Sequence, residues 1–172
     1  MKVADRIVGI EEILRAREAR AYKQNELIQR YNHTLVSFTL NIPEGVKFTE
    51  RFKQVFDIGY QALMGEIQKY NMMIIDNQKE YLFTGCEGYV VLSGTSDLVK
   101  KITIDIEENH YLGRLFDMDV ITNKMILRPR EEVGANPRRC FLCEDEVWVC
   151  GRSRKHSIED LLYEIDTIIN QL

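Results

Sequence analysis

The chain has 172 residues, 45% of them hydrophobic, and a formal net charge of −4. That length predicts one compact unit with a sizeable core, and an acidic whole argues against duplex nucleic acid as a partner, so any anion site must be local. No run approaches the roughly 18 apolar residues that span a bilayer, and MKVADRIVGIEE turns acidic before a signal-peptide core can form, which together predict a cytoplasmic protein with no membrane partner.

From Ala4 to about Tyr31 the apolar residues Ile7, Ile10, Leu14, Ala21, Leu27 and Ile28 recur at helical spacing, with a break expected near Gly9. The run TLVSFTLNIP, 34–43, is β-branched and aromatic and reads as a strand stopped at Pro43. A helix over 50–70 follows, capped by Thr49, with Phe52, Val55, Phe56, Ala62, Leu63 and Ile67 on its buried side. MMII (72–75) and YVVL (89–92) read as buried strands, with NQKE and the glycines 85 and 88 as turns or a bulge between them. SDLVKKITIDIEEN alternates like a strand yet also places Leu98, Ile102 and Ile106 on one helical face, and helix is the preferred reading, with Ser96 as its cap.

Next, GRLFDMDV (113–120) reads as a strand, joined through Thr122-Asn123-Lys124 to a second strand, KMILRP. A last helix starts at Ser157, where S-I-E-D resembles a capping box. Between Pro129 and His156 no periodicity is evident, and an irregular stretch of that length is usually functional or held by something else. The expected fold class is α+β: one domain over 1–172, a mixed or antiparallel sheet with helices packed on it, of which a nucleotidyltransferase-like arrangement is one form.

On a regular strand Asp117 and Asp119 share one face while Arg114, Phe116, Met118 and Val120 take the other. Two carboxylates about 7 Å apart along the pleat can converge on Mg²⁺, which prefers oxygen ligands and completes its shell with substrate phosphates. The competing reading is a pair of acids on a solvated strand face. Downstream, Cys140, Cys143, Cys150 and His156 form a C-x2-C-x6-C-x5-H pattern that fits a structural zinc site, against three ordinary thiols and a histidine that merely precedes a helix. Arg128, Arg138, Arg139, Arg152, Arg154 and Lys155 make a local cationic cluster suited to phosphate oxygens, or to pairing with Glu144, Asp145 and Glu146. Arg17, Arg20 and Gln24 line one side of the first helix, a stripe that is usually solvated.

Taken together, ILRAREARAYKQ, TLVSFTLNIP, ENHYLGRLFDMDVI and RRCFLCEDEVWVCGRSRKHS resemble the citrate lyase holo-acyl-carrier-protein synthase family, also called apo-citrate lyase phosphoribosyl-dephospho-CoA transferase. The resemblance implies transfer of the phosphoribosyl-dephospho-CoA group from 2'-(5''-triphosphoribosyl)-3'-dephospho-CoA to a serine of the acyl carrier (gamma) subunit of citrate lyase, with loss of pyrophosphate. It implies catalytic roles for Asp117, Asp119 and Arg114, with Gly113 in the same matching stretch. Substrate-binding roles fall to Gly113, Arg17, Arg20, Gln24, Arg138, Arg139, Arg152 and Arg154. Glu87, Glu107 and Glu108 are the candidates for a third carboxylate, and His110 or Glu108 for a general base. The rival is a non-catalytic, zinc-stabilised protein-binding module.

Overall fold

The structure is a computed structural model that describes residues 7–43, 45 and 47–172. In chain order it contains α1 (Ile10–Tyr31), β1 (Thr34–Leu40), α2 (Glu50–Lys69), β2 (Ile74–Leu82), β3 (Gly85–Leu92), α3 (Ser96–Asn109), β4 (Phe116–Ile121), α4 (Val147–Ser153) and α5 (Ile158–Ile169). The four strands form one sheet in the order β2-β3-β1-β4, every neighbour antiparallel. Helices packed on an antiparallel sheet give the α+β class expected.

Alternation along the strands sends side chains to two unlike faces. Val36 and Phe38 of β1, Val90 and Leu92 of β3, and Phe116, Met118 and Val120 of β4 join the buried residues of α2, α3 and α5 in the main core. α2 contributes Phe52, Val55, Phe56, Tyr60, Leu63 and Ile67, a stripe at helical spacing, and fully burying each such side chain stabilises by about 1.5–3 kcal/mol. Phe38 stacks on Phe56 with ring centroids 4.8 Å apart and meets Phe116 edge-on at 5.5 Å. The helix can lie this close because of Gly59, where an added Cβ would stand 2.7 Å from the Phe38 ring and 2.8 Å from that of Phe116. Among the described residues α1 covers the opposite face of the sheet, through Leu27 and Ile28 set against Leu35, Tyr89, Val91 and Ile121.

The caps explain where the helices begin. The Phe52 N–H donates to Thr49 Oγ1 at 3.0 Å, and the Asp160 N–H to Ser157 Oγ at 3.0 Å, each satisfying one orphan donor of a first turn. α3 is a helix, as preferred, but its cap is Thr95 rather than Ser96. α1 begins after Gly9; the part of the expected helix over residues 4–6 lies outside the described residues.

Three expectations are corrected. NQKE is no turn but the middle of β2, an edge strand whose polar residues face solvent. Residues Gly113–Leu115 form a 3₁₀ turn, so the strand starts at Phe116. The chain does reverse after Thr122, whose N–H donates to Ile126 O at 2.9 Å, yet KMILRP adds only the bridge Ile121↔Leu127 and makes no further strand. Within the irregular stretch, Val147–Ser153 forms the short helix α4.

Candidate functional site

The α1-facing side of the sheet turns polar toward the end of α1 where it begins. Asp119 lies opposite Ser37 and Asp117 opposite Thr39 across β1 and β4, while Glu87 and Tyr89 point the same way from β3. Above them α1 lowers two side chains: Gln24 Nε2 donates to Ser37 Oγ at 2.9 Å, and Arg20 Nε donates to Glu87 Oε1 at 3.0 Å. The Tyr89 hydroxyl donates to the other Glu87 oxygen. The helical stripe is therefore partly engaged rather than simply solvated. Beside it opens a groove of about 170 Å³, lined by Arg17, Arg20, Lys47, Asn41, Thr39, Glu87 and Asp117 among others. Arg17 is exposed and spends no hydrogen bond or ion pair on the rest of the described protein.

Asp119 has no hydrogen-bond donor among the described residues, although it is half-buried. Burial first, and then the like charge of Asp117, raise its pKa above the ordinary carboxylate value, against Lys100, Arg138 and Arg20. Asp117 has one cationic neighbour in contact, Arg138, and Asp119 has no donor among the described residues, so a carboxylate pair that repels itself is an oxygen-rich setting that a divalent cation would relieve.

The other side of β4 explains how this strand is held. As an edge strand it would leave unpaired backbone groups, and side chains close them. Met118 N–H donates to Glu107 Oε1 at 2.8 Å, Lys100 Nζ to Met118 O at 3.3 Å, and Arg138 Nη1 to Phe116 O at 2.8 Å. Arg138 Nη2 also pairs with Glu107 at 2.8 Å and with Asp117 at 3.3 Å. Arg130 reaches Glu107 at 3.4 Å and Glu108 at 3.0 Å. Burial lowers the pKa of Lys100, its largest influence, and raises that of Glu107 despite three cationic neighbours.

Several sequence expectations are redistributed by this geometry. Of the three acids considered as a third ligand, Glu87 shares the aspartate face, whereas Glu107 and Glu108 serve the edge of β4 and the arginines. His110 packs on Tyr111 and Phe116 and accepts from the Leu112 N–H at 3.1 Å, with its pKa lowered by burial. His110 thus lies against Phe116, a residue of the core face, and Glu108 pairs with Arg130. Arg114 does not extend from a strand: its Nη2 donates to Cys140 O at 2.8 Å and Phe141 O at 2.9 Å, so it ties down the cysteine loop. Gly113 is a packing residue, since a Cβ there would fall 2.4 Å from Glu107 O and 2.5 Å from Ile106 O.

The arginine cluster separates likewise. Arg138 alone reaches the aspartates; Arg139 pairs with Glu144, Arg152 lies over Trp148 with its guanidinium 5.7 Å from the ring centroid, Arg128 pairs with Asp97 and Glu132, and Arg154 lines a cavity of about 500 Å³ with Cys150 and His156. The sequence reading missed Lys47, Lys100, Ser37 and Asn41. Lys100 had a signal, a lysine at a helix position flanked by Val99 and Thr103 on the buried side.

The ligand atoms of Cys140, Cys143, Cys150 and His156 all lie within 4.8 Å of one another, a Cys₃His arrangement that can hold a metal such as zinc. The remaining cysteine, Cys86, is buried elsewhere in the core. No described helix is long and apolar enough to cross a membrane.

Fold and comparisons together make this protein an α+β enzyme, a transferase. The family described as apo-citrate lyase phosphoribosyl-dephospho-CoA transferase matches residues 8–172. A probable apo-citrate lyase phosphoribosyl-dephospho-CoA transferase of Vibrio cholerae serotype O1 (strain M66-2) is 37% identical over 94% of the chain and 92% of its own length. The protein of that name from Escherichia coli O7:K1 is 33% identical over 96% of the chain and 90% of its own length. The chain belongs to the apo-citrate lyase phosphoribosyl-dephospho-CoA transferase family. Family membership sets aside the non-catalytic binding module.

Proposed function

We propose that this protein, acting in the cytoplasm with residues 1–172 as one domain, moves the phosphoribosyl-dephospho-CoA group from 2'-(5''-triphosphoribosyl)-3'-dephospho-CoA onto a serine of the citrate lyase acyl carrier subunit. The observation that carries the reading is the family match from residue 8 to 172. In the reaction the serine oxygen forms a bond to the α-phosphorus, the bond from that phosphorus to the oxygen bridging to the β-phosphorus breaks, pyrophosphate departs with the electron pair, and the serine proton is released. Such chemistry is mostly positioning and charge stabilisation, as in nucleotidyl transfer.

The aspartate face has the parts for that task. Asp117 and Asp119 would hold Mg²⁺, whose oxygen preference fits a carboxylate pair in which Asp119 has no donor among the described residues. When bound, the ion supplies orientation and neutralisation of the triphosphate oxygens. Arg17, Arg20 and Lys47 around the groove grip phosphate oxygens, and the Glu87 carboxylate fixes the direction of Arg20. Gln24 and Ser37 hold each other and present the remaining polar atoms of that surface. Arg138 limits the charge on Asp117 without covering Asp119.

The test is the intact mass of purified apo-carrier after incubation with this protein, the triphosphoribosyl-dephospho-CoA and Mg²⁺. A gain equal to the phosphoribosyl-dephospho-CoA group, lost when Mg²⁺ is omitted or in Asp119→Asn, is expected. No gain with folded wild-type enzyme and competent carrier would defeat the reading.

A further inference from the structure

The transfer reading leaves Cys140, Cys143, Cys150 and His156 without a task. Across residues 129–157 only Cys140 and Cys150 are buried, and the regular structure amounts to one turn, Glu131–Val133, and the seven residues of α4. So little apolar burial is too small to offset the conformational entropy of fixing such a stretch, at roughly 1–2 kcal/mol per residue. Yet its path is defined. Cys140 N–H donates to Asp145 O at 2.8 Å and Val147 N–H to Arg138 O at 2.8 Å, Leu142 N–H points at Cys140 Sγ from 3.5 Å, and His156 Nε2 stands 3.3 Å from Cys143 Sγ. A backbone N–H directed at a ligand sulfur is the kind of outer contact that supports a metal-bound thiolate. Three sulfurs and one imidazole select zinc over magnesium or calcium.

Where this arm is rooted gives the ion a consequence. Arg138 precedes Cys140 by two residues, and its guanidinium reaches Phe116 O, Glu107 and Asp117. The carbonyls of Cys140 and Phe141 are gripped by Arg114, directly ahead of β4. We propose that Cys140, Cys143, Cys150 and His156 bind one zinc ion, and that the ion fixes the arm whose root, Arg138, rests on Asp117. Arg138 is thus a positioning residue whose place depends on a metal outside the carboxylate face.

The experiment takes the full chain, purified under reducing conditions. Metal analysis should give one zinc per chain, and exchange for Co²⁺ should produce sulfur-to-cobalt charge transfer together with the strong visible bands of a tetrahedral site, both lost in Cys143→Ser. Trypsin should leave the zinc-loaded arm intact. After removal of zinc by a chelator it should cut between Arg138 and Lys155 while the far-ultraviolet circular dichroism of the core persists. Wild-type protein lacking stoichiometric zinc and any tetrahedral cobalt spectrum would overturn the site. An unchanged tryptic pattern, or collapse of the whole fold on chelation, would overturn the claim that the ion acts on the arm. A last readout rests on the transfer reading: zinc removal and Arg138→Gln should each cost on the order of tenfold in kcat/KM, and the two together no more than either alone. Additive losses would break the link to Arg138. A wild-type enzyme that transfers nothing would sink the transfer reading and leave the zinc and protease results standing.

Discussion

Replacing Asp119 by asparagine should stabilise the metal-free protein while abolishing transfer. Asp119 and Asp117 alternate on one face of β4, about 7 Å apart along the pleat, and at an effective dielectric constant of about 20 two full charges at that distance repel by about 2.4 kcal/mol. Lys100, Arg138 and Arg20 offset part of this, leaving a net gain of roughly 1 kcal/mol when one charge is removed. No protein hydrogen bond is lost, because Asp119 has no donor among the described residues. For a chain of this size the gain corresponds to roughly 2–4 °C in Tm. The sign with pH is fixed by the raised pKa of Asp119 in the folded state: its cost is present above that pKa and relieved as pH falls through it, so the advantage of Asp119→Asn should shrink toward acid. Calorimetric scans of both proteins, without and with Mg²⁺, test this; at a hundredfold excess over Kd the ion should stabilise wild type by about 2.7 kcal/mol and the variant far less. If Asp119→Asn lowers Tm and Mg²⁺ raises both proteins equally, the aspartates are structural and the reasoning is wrong.

Gly113→Ala should destabilise by about 1–3 kcal/mol through forced overpacking, since its Cβ meets backbone oxygens of α3 rather than a movable side chain; urea unfolding would show it, and an unchanged midpoint would argue that Gly113 serves the substrate instead. Asp57 accepts from Lys53 Nζ, Lys79 Nζ and the Tyr81 hydroxyl, contacts that lower its pKa to about 2 against the desolvation of burial, the largest single influence. Its contribution, about 1 kcal/mol once solvent screening is allowed for, is present above the unfolded value near 3.8 and lost as pH falls toward 2. Asp57→Asn should therefore be destabilised near neutrality and match wild type at the acid end of a pH-dependent denaturation series.

Much of the architecture was legible because its signals are local. Thr49 and Ser157 announce helix starts by their own chemistry, and the apolar stripe of α2 reaches the core with Tyr60 added and Ala62 only partly buried. The D-x-D spacing likewise needs only the pleat to place both carboxylates on one face, and the Cys₃His spacing needs only the reach of a loop. What was misread depended on the partner strand or on the far side of the molecule. β2 looks like a turn because an edge strand can carry Asp76, Asn77, Gln78, Lys79 and Glu80 in water, and nothing nearby reveals that Tyr89 and Val91 of β3 cover its other flank by pairing. Gly113 and Arg114 look like an extension of the strand until the close approach of α3 forces a turn there. The engagement of Arg20 with Glu87 joins residues far apart in the chain, and no periodicity encodes it.

The strand order has a consequence for when this molecule becomes competent. β1, which bears Ser37 and Thr39, lies between β3 and β4; it must wait for α2 and the β2–β3 hairpin before its first neighbour exists, and for α3 before its second. Pairings between segments so distant in the chain close large loops and form slowly. Arg138 arrives later still, after β4. A nascent or truncated chain can own both aspartates and yet lack Arg138, the residue of the final third of the sequence that reaches Asp117.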